Sequence, residues 1–477
     1  MSCTMSLKRC TLCFATIRSM RMLPTTSKKL QTAASQNEET VDIVISGGGM
    51  VGTAMACALG HEELLKDKKI VLLEAASKKN YTVPDTFSNR TCAISPSSVD
   101  LLNSVGAWEE VENMRCHPVK RMQVWDSCSD SLIAFSKENL LDDMAYIAEN
   151  DVIEEALRKR LEAVSDRVDV RYQTSAKSYI IPGVTPGHAE THQNSWVTVG
   201  LQDNHVLKTK LLIGADGIFS AVRKAGEFHT LQRDYNQTAV VATLQVDESV
   251  DNSVAWQRFL PTGPIAMLPL SNKYSNLIWT TTPDLARNLK EIPEESFVDA
   301  VNDAFWHDRD RNDLVVKAGE MFQRVLNTTT EGGGGSFQQI PPSVVGVEAN
   351  SRASFPLSMT HASNYVLHRV ALLGDAAHRI HPLAGQGVNL GFGDVACLRD
   401  LLAETVSNGS DVGSLLHLTQ YETTRQRAVI PVLATIDGLQ RLYNTDFTPV
   451  VLLRSLGLQA TNSMAFVKDY LVKGASG

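Results

Sequence analysis

Residues 41–45 (Val-Asp-Ile-Val-Ile) are a short apolar run that passes through Ser46 into Gly47-Gly48-Gly49-Met50-Val51-Gly52. A small, apolar stretch, residues 53–59, follows directly. Buried strand, glycine turn and helix in that order leave few folds open, because each glycine has its own task. Gly47 permits the tight turn, Gly49 lets a pyrophosphate approach the backbone, and Gly52 lets helix and strand pack closely. Residues 70–73 form a second apolar strand, ending in Glu74, 22 residues past Gly52. A carboxylate there suits an adenosine ribose hydroxyl and opposes a 2′-phosphate. The pattern specifies a Rossmann-like α/β unit around a dinucleotide, and by itself serves NAD as well as FAD.

A second glycine cluster lies far downstream. The apolar residues 370–373 run into Gly374-Asp375-Ala376-Ala377-His378, then His381-Pro382-Leu383-Ala384-Gly385-Gln386-Gly387-Val388-Asn389. An acid at a strand end can hold a sugar-like hydroxyl. Gly385 and Gly387 let a flat ring reach the backbone. A helix beginning near Val388 would aim free N–H groups at that ring, with Asn389 ordering its first turn. Between the clusters stands a third motif, residues 211–217 (Leu-Leu-Ile-Gly-Ala-Asp-Gly), continuing to Arg223. Arg90 lies upstream, in Ser88-Asn89-Arg90-Thr91. His381 abuts the second cluster and is read as a structural hydrogen-bonding residue.

The run GDAAHxxxPxxGQGxN resembles the second FAD-contacting motif of class A flavin monooxygenases, in the version found in the branch that hydroxylates ubiquinone precursors. Residues 211–223 resemble the DG motif of the same enzymes, whose Asp, here Asp216, lies near the flavin diphosphate. Gln257-Arg258-Phe259 and the Gly263-Pro264 to Leu268-Pro269 segment resemble the same branch. Ser46 and the glycine run 332–335 are local departures. The resemblance spans nearly the whole chain after residue 40. It implies a para-hydroxybenzoate hydroxylase-like α/β fold with an inserted antiparallel β-sheet substrate domain and C-terminal helices. It implies FAD held by Gly47, Gly49, Gly52, Glu74, Arg90, Asp216, Gly374, Asp375, Gly385, Gly387, Val388 and Asn389. The flavin-facing loop would be Pro382, Leu383, Ala384, Gly385, Gln386 and Gly387, with no catalytic base selected and no metal.

The activity implied is hydroxylation of a polyprenylated 4-hydroxybenzoate with O₂, at ring carbon 5, in ubiquinone biosynthesis. Ferredoxin and its reductase would supply electrons, within a complex of biosynthetic proteins at the matrix face of the mitochondrial inner membrane. Two alternatives keep the fold: an NAD(P)H-dependent hydroxylase of a soluble phenol, and a flavin-free binding protein of the GDP-dissociation-inhibitor type. A simple NAD dehydrogenase would account only for the first motif.

The expected division is residues 38–115, 146–235 and 352–430 for the FAD-binding domain, 116–145 and 236–351 for the substrate domain, and 431–477 for a helical C-terminal region. Residues 1–37 carry six Lys or Arg, frequent Ser and Thr, and no acid before Glu38, as a mitochondrial presequence does. The whole chain has a formal charge of −8, which argues against a nucleic-acid surface. No uncharged apolar run reaches the ~18 residues of a spanning helix, so membrane contact would be peripheral. Residues 421–472, with Arg425, Arg441 and Arg454 among apolar side chains, read as helix packed on the core, with membrane or protein docking as the alternative. The eight cysteines show no metal spacing, and the CxxC at Cys10 and Cys13 falls in the basic leader.

Overall fold

The computed structural model describes residues 38–463 apart from 130, 137–142, 185–194, 249–250, 308–316, 319–320, 322–338, 383–384, 444 and 446. The basic leader, the glycine run 332–335, and Leu383 and Ala384 therefore lie outside the described residues.

Among the described residues two large sheets organise the chain, beside a small three-stranded one. In the first, Val168–Arg171, Ile70–Leu73, Glu38–Ser46, Val206–Gly214 and Val370–Leu372 lie side by side, all parallel. Their registers align Leu73 and Gly214 with Ser46, and Leu372 with Gly214. The three glycine motifs therefore leave one sheet edge at one level, although up to about 330 residues separate them in sequence. The carboxyl ends of adjacent parallel strands are where such sheets bind ligands.

The helix Met50–His61 is buried on nearly every side (residues 52–60 without exception) between the sheet and the helices Asn150–Glu162 and Gly387–Ser407. A helix apolar all round belongs in such a position, and its alanines allow close approach. Asn150–Glu162 is instead amphipathic, burying Val152, Ile153, Ala156, Leu157 and Leu161 at helical spacing. Downstream of Arg90, Gly106 takes φ +72° and separates the helix Pro96–Ser104 from the helix Ala107–Met114.

The second sheet has nine strands, built around the 17-residue strand Thr230–Val246. Its neighbours Ala353–Ala362 and Tyr274–Thr281 are antiparallel to it, followed by Gly263–Pro269 and Val254–Leu260. The strands Arg121–Asp126 and Leu132–Ser136 extend the edge. Residues 230–235 and 353–362 are thus strands of this sheet, continuous with the inserted segment. Helices Pro283–Glu291 and Glu294–Trp306 cover one face through Leu289, Phe297, Val301 and Phe305. The helix Leu415–Tyr443 packs on the other through Val429, Leu433 and Ile436.

The last described helix, Thr448–Ser463, is pinned by a buried ion pair: Arg454 Nε and Nη2 donate to Asp126 at 2.8 and 3.0 Å. Arg454 is therefore a packing residue, not part of a docking stripe. Phe447, Leu453 and Leu442 are the exposed apolar residues of this region. Among the described residues no helix is long and apolar enough to cross a membrane.

Candidate active site

A cleft of about 600 Å³ separates the two sheets. Its floor carries Gly49, Met50, Val51, Ala215, Gly217 and Asp375 from the three motifs. Pro382, Gly385, Gly387 and Val388 close one side, and Arg90, Thr91 and Cys92 another. The roof belongs to the second sheet: Val241, Asn276, Ile278, Ala353, Phe355 and Leu357. A smaller cavity of about 150 Å³, lined by Gly48, Glu74, Lys79, Arg158 and Tyr172, adjoins it. Gly49 and Glu154 line both, and so mark the waist between them.

The structure separates the roles of the first-motif glycines. Gly47 has φ +103°, and a Cβ there would meet Ala215 O at 2.6 Å. A Cβ on Gly52 would lie 1.9 Å from Gly47 O. A Cβ on Gly49 would meet nothing within 4 Å, because it would project into the waist. Gly47 and Gly52 are thus required by packing, whereas Gly49 keeps space for a ligand. Gly385 (φ +62°) needs its left-handed backbone, and Gly387 borders open cleft.

Two helices end at this space with their N–H groups unclaimed by side chains. Met50–His61 and Gly387–Ser407 have no side-chain cap and no acid in their first turns. Unsatisfied N–H groups and a positive dipole end favour an anion. A dinucleotide carrying a flat ring fits: its diphosphate at the first helix, its ring beside the second.

Several expected site residues act by holding loops. Glu74 lines the smaller cavity and accepts from Gly48 N (2.8 Å) and Ala76 N (2.6 Å). A carboxylate has about four acceptor positions, so a ribose hydroxyl can still be taken. Asp216 turns to its own loop, accepting from Ser220 Oγ (2.5 Å), Ala221 N (2.7 Å) and Val222 N (3.1 Å). Asn389 accepts from Ser95 N (3.1 Å) and Ser98 Oγ (2.8 Å) and donates to Ala93 O (2.9 Å), tying the helix start to the strand Thr91–Ile94. Gly374 (φ +55°) forms the turn that presents Asp375. Asp375 is exposed towards the cleft, and desolvation within that recess pushes its carboxyl up despite His378, Arg379 and Arg223. His381 is fully buried, with its edge to Tyr235, and burial pushes it down to about 4.

Three further residues build the site without having been singled out on sequence. Asp394, fully buried on the Gly387–Ser407 helix, accepts from Gly374 N (2.9 Å), His378 Nε2 (2.7 Å) and Arg425 Nε (2.7 Å). Arg223 donates to Ala376 O (2.8 Å) and Ile218 O (2.6 Å), clamping the second and third motif loops together. Arg223 does close the DG motif, and that was its available signal. Asn276 is fully buried on the roof; its Nδ2 donates to Thr91 Oγ1 (2.5 Å), and its Oδ1 has no partner among the described residues. Among the described residues no cluster of His, Cys, Asp and Glu is placed to hold a metal ion.

Residues 40–329 and 338–434 match the family described as FAD binding domain. The chain is 53% identical over 460 residues to the mitochondrial ubiquinone biosynthesis monooxygenase COQ6 of Xenopus tropicalis, covering 96% of this chain and 98% of that protein. Against the Homo sapiens protein of the same name it is 51% identical over 448 residues, with 93% and 94% covered. The fold is similar to p-nitrophenol 4-monooxygenase PnpA from Pseudomonas putida DLL-E4 (TM-score 0.63, 16% identity, 92% and 99% covered). It is also similar to the OxyS anhydrotetracycline hydroxylase from Streptomyces rimosus (TM-score 0.59, 19% identity, 92% and 76% covered). The cofactor is FAD.

Proposed function

This chain belongs to the FAD-dependent monooxygenases of ubiquinone biosynthesis, and on that premise we propose that it hydroxylates the ring of a polyprenylated 4-hydroxybenzoate, at carbon 5. The observation that carries the proposal is the two-sided cleft, with motif loops as floor and an apolar sheet face as roof.

Bound FAD supplies the activation of O₂ from which one oxygen atom passes to the ring. The chain supplies the rest. Gly49 and the unclaimed N–H groups of Met50–His61 receive the diphosphate, with Arg90 as the neighbouring cation. Glu74 takes the adenosine ribose, and Asp375 a hydroxyl nearer the ring. Asp216, Gly374 and Asn389 contribute by fixing the loops that carry those contacts. Pro382, Gly385 and Gly387 wall the reacting space, and Val241, Ile278, Phe355 and Leu357 keep water from it.

The proposal extends to setting. Residues 1–37 act as a mitochondrial presequence, and the enzyme works at the matrix face of the inner membrane by peripheral contact. Its electrons come from ferredoxin and ferredoxin reductase within a complex of ubiquinone-biosynthesis proteins. The proposed substrate side comprises residues 116–145 and 236–351, extended by residues 230–235 and 353–362 of the same sheet.

The test is product analysis. The purified yellow protein is given a prenylated 4-hydroxybenzoate and O₂, with either ferredoxin plus its reductase or NADPH. A ring-5 hydroxylated product formed only with ferredoxin supports the proposal. Turnover of a tail-less phenol with NADPH supports the soluble-phenol alternative instead.

A further inference from the structure

Glu154 stands where an anion has to pass. It shares with Gly49 the waist between the two cavities, and the diphosphate of FAD joins the adenosine of one cavity to the ring of the other. We propose that Glu154 makes FAD retention depend on pH: protonated, it faces the diphosphate without opposition, and ionised, it repels it.

The surroundings support this division of states. Glu154 is partly buried beside the apolar face of Asn150–Glu162, and desolvation pushes its carboxyl up, assisted by Asp151 one turn earlier. Arg90, Lys79 and Arg158 act in the opposite direction without cancelling the effect. Cys92 also faces it, with a thiol pushed up to about 12 by burial. Arg158 is engaged elsewhere, by Glu155 and by Lys79 O. The diphosphate is ionised throughout the neutral range, so the proton must be carried by the protein. FAD binding then raises the Glu154 affinity for a proton further, and by linkage binding takes up a proton.

The sign follows. FAD is held best below the raised carboxyl pKa and is released more readily as pH rises through it. One like charge at contact range of the diphosphate, in a partly solvated site, changes affinity on the order of tenfold. Asp375 also borders the cleft with a raised carboxyl, so the experiment has to separate the two.

The full-length holoenzyme is diluted into buffers from the ordinary Glu range, about pH 4.5, to about pH 8, and released FAD is read by its fluorescence. The expected result is that wild-type dissociation strengthens as pH rises. Glu154→Gln should flatten the profile and bind FAD about tenfold tighter than wild type at the alkaline end. Calorimetric FAD titration of wild type in two buffers of different ionisation enthalpy should show proton uptake, a readout that needs no variant. A flat wild-type profile without proton uptake overturns the proposal. So does an unchanged slope in Glu154→Gln, which assigns the proton to Asp375. Weaker binding by Glu154→Gln at every pH also overturns it, because the carboxylate would then be accepting from FAD hydroxyls.

Discussion

Removing the carboxylate of Asp394 should cost this protein more than removing any group that touches FAD. Asp394 has no exposed surface and holds three donors: Gly374 N, His378 Nε2 and Arg425 Nε. Arg425 keeps only 11% of its side chain exposed. Breaking a buried ion pair from one side costs about 3–5 kcal/mol, because the remaining charge stays desolvated. An abandoned buried N–H at Gly374 costs about 1–3 kcal/mol more when taken alone. The terms share one site and do not add, so Asp394→Ala is expected to lose about 4 kcal/mol. Asp394→Asn keeps one acceptor oxygen and should lose about half of that. Urea unfolding followed by tryptophan fluorescence measures both, and Arg425→Leu with the double variant completes a cycle whose coupling should exceed about 1 kcal/mol. Burial alone would raise this carboxyl, but His378, Arg425 and the Gly374 N–H together hold it below its ordinary value. The folded pKa is therefore the lower one. The stabilisation is present above the ordinary Asp pKa and is lost as pH falls through the depressed one. If both single variants unfold within about 0.5 kcal/mol of wild type, or the cycle shows no coupling, the reasoning is wrong.

Gly49→Ala should fold normally and lose FAD affinity, since its Cβ enters open waist, whereas Gly52→Ala, whose Cβ would strike Gly47 O, should lose about 3 kcal/mol or more. Melting curves of the apoproteins with FAD titration separate the two. Arg223→Ala should destabilise by about 2–3 kcal/mol and speed FAD release, because two carbonyls on two motif loops lose one charged donor; unchanged release kinetics would remove its role as a clamp. His381, pushed down to about 4 by burial, stays neutral in the folded state. Its share of stability is full above the ordinary His pKa and declines by up to about 3 kcal/mol as pH falls towards 4. His381→Gln should therefore leave the neutral-range pH profile of turnover unchanged while reducing the acid sensitivity of unfolding.

Much of the site was legible because its motifs describe local backbone. Gly47, Gly49 and Gly52 announce a strand, a turn and a helix within a dozen residues, and Glu74 marks the end of the next strand. Gly385 announces a left-handed turn before the Gly387–Ser407 helix. Other readings named a motif residue and left its task open. Asp216 sits in a motif loop and Asn389 in the first turn of the Gly387–Ser407 helix, and their side chains are spent on Ser220, Ala221, Ser95 and Ser98. Arg454 stood in a basic stripe on sequence and is buried against Asp126, 328 residues away.

The sequence alone determined the strand–turn–helix course at the glycine motifs, and the resemblance those motifs carry implied FAD and the family. That course depends on backbone conformations that a few neighbouring residues specify by themselves. The tertiary structure decided that the three motifs reach one level on one sheet edge, and that the long strand Thr230–Val246 roofs them with its neighbours. It also decided that Asp394 and Arg425 hold the Gly374 turn, and that Glu154 faces Gly49 across the waist. A side chain's partner across the core depends on how separate elements pack. That packing is a property of the whole chain's close-packed interior and leaves no local pattern to read.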